Sequence, residues 1–245
     1  ALFLLHGDLK NFEGMWLPGQ FSPHLPDDFG LAAFLAQNDV DVWGIDQAWN
    51  FVPEGETDFS FMQNWGVQRE VDHLDFGVAI ARLARLMTGN GNKPVLLLGY
   101  SSGSITGYAL VNQETQLPRG QRQISGYIAA DLGICSDDEV WLETTHSWIP
   151  FYQGLYDAGQ YQDILPYRDV SLRARNDPDG ASPYIAGFTN LQCALFYAGG
   201  LIWPPSEAHY HAPILEDGLP VGLQFVSNDQ WFDFLENTAF YEPVL

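Results

Sequence analysis

The sequence is poor in basic residues, with 10 Lys and Arg against 31 Asp and Glu among 245 residues. Lysine occurs only at Lys10 and Lys93, and the formal net charge is -21. A surface with this charge repels the phosphates of nucleic acids and anionic lipid headgroups. The composition therefore argues against a nucleic-acid-binding protein, and it is compatible with either a secreted or a cytoplasmic protein.

Cysteine is also scarce, since only Cys135 and Cys193 are present. Two cysteines do not form a disulfide framework, and both a single bridge and two free thiols agree with the sequence. His209 and His211 lie close together, but the sequence implies no third ligand, so we predict no metal site. No run of 18 apolar residues exists, which argues against a membrane-spanning helix.

Residues 94–110, PVLLLGYSSGSITGYAL, are the most informative stretch. The unbroken apolar run before Gly99 is typical of a strand in a parallel sheet that is covered on both faces. It is followed by a turn that carries Ser101 between Gly99 and Gly103, and then by a helix. A serine on a sharp strand-to-helix turn needs residues without a Cβ two positions before and after it. This stretch therefore predicts a nucleophile elbow.

The opening ALFLLHGDLKNF is a second apolar run, and it ends in His6-Gly7. A strand that ends in His-Gly, followed later by a strand with a serine elbow, resembles the α/β-hydrolase superfamily. The resemblance implies a serine hydrolase of the esterase or lipase type that needs no cofactor and acts on a small-molecule or lipid-like carboxylic ester.

The rest of the chain extends this α/β pattern. Residues 40–49 contain a predicted strand that ends at Asp46, and residues 124–131 are a predicted strand that ends at Asp131. The spacing of apolar residues predicts a helix from Val67 to about Met87. Pro26-Asp27-Asp28 predicts the start of another helix, with Leu31, Phe34 and Leu35 on its inner face.

Strand and helix no longer alternate after about residue 133. We therefore predict a mostly parallel sheet with helices on both faces and a core over residues 1–132. The resemblance implies a helical cap over residues 133–215, and residues 216–245 either return to the core or continue the cap.

A serine hydroxyl needs a histidine base that is oriented by a carboxylate. The resemblance makes Ser101 the nucleophile and assigns the oxyanion hole to the backbone N–H groups of Asp8 and Ser102, with Gly7 in the same loop. An acidic residue at the position of Asp8 is unusual for the family. Because its charge would oppose the oxyanion, we expect the Asp8 side chain to turn outward.

The acid has three candidate assignments. If residues 221–226, VGLQFV, form the late strand that presents it, the acid is Asp229. If the acid follows the preceding strand, as in a minority of the superfamily, it is Asp131. In the third case the segment up to Leu245 still belongs to the cap, and both acid and base lie beyond it.

The base is less clear, because none of the six histidines follows a late strand near the C-terminus. His73 is interpreted as a solvated helix residue, and His209 or His211 would serve only if the chain is complete. We expect segments to be missing at both ends. The alternatives to a working hydrolase are a noncatalytic binding protein of the same fold and a truncated enzyme without its histidine.

Overall fold

The computed structural model describes residues 1–131, 137–198 and 213–244. The chain divides into two compact units. The first unit comprises Ala1–Trp16, Gly30–Ile164 and Ala239–Leu245, and the second comprises Leu17–Phe29 and Leu165–Thr238. These boundaries differ from those of the predicted domains. The first unit continues past residue 132 to Ile164, and it also includes the last segment, Ala239–Leu245.

The first unit is an α/β structure around a four-stranded parallel sheet with the order β2-β1-β3-β4. Its elements are β1 (Leu2–Leu5), α1 (Phe12–Trp16), α2 (Leu31–Gln37), β2 (Val42–Ile45), α3 (Val67–Met87), β3 (Val95–Tyr100), α4 (Ser102–Thr115), β4 (Ile124–Ala130), α5 (Glu139–Asp157), β5 (Gln162–Ile164) and β8 (Tyr241–Pro243). The predicted strand, turn and helix around Ser101 are confirmed, and so is the predicted helix of residues 67–87.

The core of this unit lies between the sheet and two helices. Phe3 and Leu5 of β1 pack with α3 and α4, and all four β1 residues are buried, so the sheet is covered on both faces at this strand. The apolar stripe of α3 is buried at Val71 and Leu74, but Val67 at its start is exposed. Hydrophobic spacing therefore identified the buried face of α3 except in its first turn.

The predicted start of the next helix is wrong. α2 begins at Leu31 rather than near Asp27, and Ala32 is its buried residue. Leu31 and Phe34, which were predicted to face inward, are both exposed. The Pro-Asp-Asp segment instead lies in the second unit, where the Phe29 N–H donates to the Pro26 carbonyl in a turn.

The end of the chain returns to the first unit through β8, which pairs antiparallel with β5. Tyr241 anchors this strand, because its hydroxyl donates to the Glu54 carbonyl at 2.5 Å and its ring lies 4.7 Å from that of Phe59. These contacts place Glu242 within the first unit.

The second unit is mainly helical. It contains α6 (Tyr167–Asn176), α7 (Asn190–Ala198), β6 (Pro213–Glu216), β7 (Leu219–Leu223) and α8 (Asn228–Glu236). Leu195, Trp231 and Leu235 are in its buried core, as is the free thiol of Cys193. The predicted late strand at residues 221–226 is corrected, because β7 pairs antiparallel with β6 and is not part of the parallel sheet.

Among the described residues, no helix is both long enough and apolar enough to cross a bilayer.

Candidate functional site

Ser101 occupies a strained position between β3 and α4. Its φ of 51° lies in the left-handed region, and its ψ is -128°. A residue with a Cβ adopts this region at an energetic cost, and such strain concentrates at functional sites. The strand-to-helix turn thus has the backbone geometry that a nucleophile elbow requires.

Two glycines allow β3 and α4 to approach each other closely. A Cβ on Gly99 would lie 2.5 Å from the Gly103 carbonyl oxygen, and a Cβ on Gly103 would lie 2.4 Å from the carbonyl oxygen of His6. Both distances are too short for any side chain, and the obstructing atoms belong to the backbone. Gly99 and Gly103 therefore fulfil the steric role that the sequence predicted.

The loop after β1 lies directly against the elbow. A Cβ on Gly7 would lie 2.7 Å from the Ser101 Cβ and 2.8 Å from the Tyr100 carbonyl oxygen. β1 and β3 are neighbours in the sheet, but the chain leaves β1 toward β2 and leaves β3 toward β4. Ligands of open α/β sheets bind at such a reversal of strand order, outside the carboxyl ends of the strands.

His6 holds this loop in place. Its ring is fully buried, with Nδ1 2.7 Å from the Gly7 carbonyl oxygen and Nε2 3.1 Å from the Gln47 backbone N–H. These partners correspond to a neutral ring that carries its proton on Nδ1. Burial lowers the pKa of His6, which also favours the neutral form. Because both ring nitrogens are engaged, His6 is a structural residue and not a base.

The predicted oxyanion donors, the N–H groups of Asp8 and Ser102, follow β1 and the elbow serine. Within the described residues, neither forms a hydrogen bond with a backbone acceptor. Ser102 opens α4, where the first N–H groups of a helix have no partner inside it and carry the positive end of its dipole. The two loops thus place candidate donors at the same edge of the sheet.

Asp8 is an exposed residue, in agreement with the outward orientation expected for it. Protein atoms around its carboxyl group nevertheless raise its pKa by burial. The neighbouring Ser102 side chain lowers the pKa of Asp8 and so partly offsets the effect of burial. The Ser102 hydroxyl itself does not meet hydrogen-bond geometry with any described residue.

Glu242 is a site residue that sequence analysis missed. Its carboxylate accepts a hydrogen bond from the Leu9 backbone N–H. Burial of the carboxyl group, followed by repulsion from Asp8, raises the pKa of Glu242 to about 8. Part of the residue surface stays exposed, so the burial concerns its charged end. No local pattern marks Glu242, because Asp8 and Leu9 lie more than 230 positions earlier in the sequence and β5 lies about 80 positions earlier.

The two candidate acids lie in different units. Asp131 directly follows β4 with a φ of 68°, and the Ser101 N–H donates to the Ala130 carbonyl at 3.0 Å, so Asp131 adjoins the elbow along the sheet edge. Asp229 lies in the first turn of α8 in the second unit and forms an ion pair with Arg175 at 2.9 Å.

The described histidines of the first unit do not pair with the nucleophile. Among the described residues of the first unit, no side chain forms a hydrogen bond with the Ser101 hydroxyl. His73 lies on α3 with a half-exposed ring 3.9 Å from Glu70, in agreement with the solvated role predicted for it. His146 is exposed on α5.

In the described part of the second unit, His24 lies close to a carboxylate. The His24 ring Nδ1 lies 2.8 Å from the Asp233 carboxylate, which Arg175 and the Ser22 hydroxyl also contact, at 2.6 and 2.5 Å. His209 and His211, the predicted alternative bases, lie outside the described residues, as does Cys135.

The described residues contain no group of three or more side chains suited to holding a metal ion. The described residues thus form a site with a strained serine beside a tight glycine loop, two N–H groups that have no backbone acceptor among these residues, and a pair of carboxyl groups with raised pKa values. Comparisons with protein-family models, with curated proteins and with solved structures found no match to this chain.

Proposed function

We propose that the first unit carries the nucleophile of a serine hydrolase of the esterase or lipase type. The supporting observation is the left-handed backbone of Ser101 at the strand-to-helix turn, with Gly7 packed against it and Gly103 packed against the end of β1. Strain of this kind is costly in a residue with a Cβ, and it exposes the hydroxyl at the carboxyl edge of the sheet.

The proposed reaction proceeds through an acyl-enzyme. The Ser101 oxygen attacks the ester carbonyl carbon and gives its proton to a base, while the Asp8 and Ser102 N–H groups stabilise the oxyanion. The alcohol leaves with that proton. Water then attacks the acyl-enzyme, which releases the acid and restores the serine. The sequence candidates for the base, His209 and His211, lie outside the described residues.

The proposal predicts that a fluorescent fluorophosphonate labels the protein and that Ser101→Ala abolishes the labelling, a loss of at least a hundredfold. A matched control is Ser125→Ala, on the neighbouring strand β4. Gel fluorescence and intact mass would measure one adduct per chain. An unlabelled but folded parent protein, or equal labelling of the Ser101→Ala variant, would overturn the proposal.

For the acid we propose Asp131 in preference to Asp229. Asp131 adjoins the elbow at the end of β4, whereas Asp229 is already paired with Arg175. Asp131→Asn is expected to slow fluorophosphonate labelling about tenfold or more, because an unoriented histidine is a poorer base. The labelling rate of Asp229→Asn is measured in parallel. A larger loss of labelling rate in that variant than in Asp131→Asn would assign the acid to Asp229.

The second candidate is a noncatalytic binding protein with the same elbow. It is favoured by one observation, that no described residue of the first unit forms a hydrogen bond with the Ser101 hydroxyl. Such a protein would bind ligand at the same edge of the sheet and would leave the fluorophosphonate unreacted.

A further inference from the structure

A cavity of about 180 Å³ opens beside the elbow in the first unit. It is bordered by the loop after β1, the first turns of α3 and α4, and β8. The polar side chains that line it include Asp8, Trp49, Glu70, Ser102, Thr106 and Glu242. Its volume equals that of about six water molecules, which is room for a small organic group.

Three residues that line this cavity carry buried polar atoms with no hydrogen-bond partner among the described residues. They are Nε1 of Trp49, Oε1 of Glu70 and Oγ of Ser102. Trp49 is 5% exposed and Glu70 is 7% exposed. Buried polar groups almost always have a partner, and an unpaired one costs about 1–3 kcal/mol. Three in one cavity indicate a ligand that satisfies them.

The chemistry of these atoms limits what that ligand is. An indole N–H only donates, so Trp49 requires an acceptor, whereas the ionised Glu70 carboxylate only accepts and requires a donor. The Ser102 hydroxyl can do either. The ligand must therefore present a donor and an acceptor within the same small volume.

The charge of the cavity limits the ligand further. Asp8, Glu70 and Glu242 contribute three carboxyl groups, and no basic side chain is among the described residues that line the cavity. Burial raises the pKa of each of the three, and the charge of Arg69, which is not among the lining residues, offsets this only in part at Glu70. An anion would be repelled here, and a cation would stabilise the ionised carboxylates.

We infer that this cavity binds the protonated amino group of the substrate's acyl part, so that the substrates are esters of amino acids. The inference rests on the proposed function, because Ser102 both lines the cavity and follows the nucleophile. The ammonium group donates to Glu70 and Glu242. An oxygen of the same acyl group accepts from the Trp49 indole N–H.

The test uses the Ser101→Ala protein, so that binding is measured without turnover. Isothermal titration compares L-alaninamide, which carries an ammonium group, with L-lactamide, in which a hydroxyl replaces it. The expected result is that L-alaninamide binds at least tenfold more tightly. Equal or tighter binding of L-lactamide, or no binding of L-alaninamide, would overturn the inference.

Variants locate the site. Glu70→Gln in the Ser101→Ala background is expected to weaken L-alaninamide binding at least tenfold. Glu143→Gln, which removes the same charge from an exposed position of α5, should leave it unchanged. If Glu70→Gln proves unfolded in a thermal scan, Glu242→Gln takes its place. Unchanged affinity in the folded variant would overturn the assignment.

The outcome of this binding test is independent of whether the protein is a hydrolase. Labelling by the fluorophosphonate without any preference for L-alaninamide would refute the amino-group site and leave the nucleophile intact. Binding of L-alaninamide to a protein that the fluorophosphonate does not label would retain the cavity's assignment and reject catalysis.

Discussion

Alanine at position 103 is expected to lower the free energy of unfolding by about 3 kcal/mol, the cost of a methyl group forced into a closed contact. The added Cβ would lie 2.4 Å from the His6 carbonyl oxygen and 3.0 Å from that of Leu5. These atoms belong to the buried end of β1 and the loop after it, so they cannot move aside as the end of a flexible side chain would.

A loss of stability in Gly103→Ala would be due to the close contact and not to helix propensity, because helix propensity favours alanine. Alanine is better than glycine inside a helix by about 1 kcal/mol. Gly154 in α5 provides the matched control, since a Cβ there meets no atom within 4 Å. Gly154→Ala is therefore expected to stabilise the protein slightly.

Denaturant unfolding of the parent and of both variants measures the two effects. Fluorophosphonate labelling of the Gly103 variant reports separately whether the elbow keeps its geometry. If Gly103→Ala were as stable as Gly154→Ala, the close packing of α4 on β1 would be disproved, and with it the structural basis of the elbow.

Local sequence predicted the elbow well because its constraints are local. The apolar run of β3, the glycines around Ser101 and the stripe of α3 each lie within a few turns or one strand. The proximity of Gly7 to Ser101 was implied by the resemblance, and it agrees with the rule that parallel strands end at the same edge of a sheet. The α/β class with a parallel sheet was therefore predictable in outline.

The features that sequence missed depend on distant partners. The Pro-Asp-Asp signal was read as a helix start, but tertiary packing placed those residues in another unit and α2 began later. Residues 221–226 have the composition of a buried strand, yet β7 pairs with β6 because a turn at Asp217-Gly218, both with positive φ, joins them into a hairpin. The resemblance placed His6 in a His-Gly loop motif, and its buried partners identify it as a structural residue that holds this loop.

Glu242 could not be identified as a site residue from the sequence, because its environment depends on distant partners. Its own segment, FLENTAFYEPVL, resembles an ordinary surface segment. Its burial is produced by the pairing of β8 with β5 and by the contact of its carboxylate with the Leu9 N–H. Long-range pairing of this kind leaves no periodic signal. It determines nonetheless which carboxyl groups share the cavity beside the elbow.

Glu242→Gln is expected to make the protein more stable at alkaline pH, by roughly 5 kcal/mol above pH 8. The pKa of Glu242 is about 8 in the folded protein and has an ordinary value of 4.5 in the unfolded chain. Between these values the folded state binds more protons than the unfolded state. Stability that is fully present below pH 4.5 is therefore lost as the pH rises toward 8.

Glutamine keeps an oxygen that accepts from the Leu9 N–H but cannot ionise beside Asp8, so this dependence should disappear. The measurement is the free energy of unfolding at half-unit steps from pH 4 to pH 9, with Glu143→Gln as a control for the change in net charge. Wild type and Glu143→Gln should lose stability across this window with the same slope, while Glu242→Gln should lose clearly less, with the remaining slope due to Asp8 and Glu70. Equal slopes in all three proteins would show that Glu242 titrates as a solvated carboxylate, and the cavity would then lose its buried charge and its reason to bind an amine.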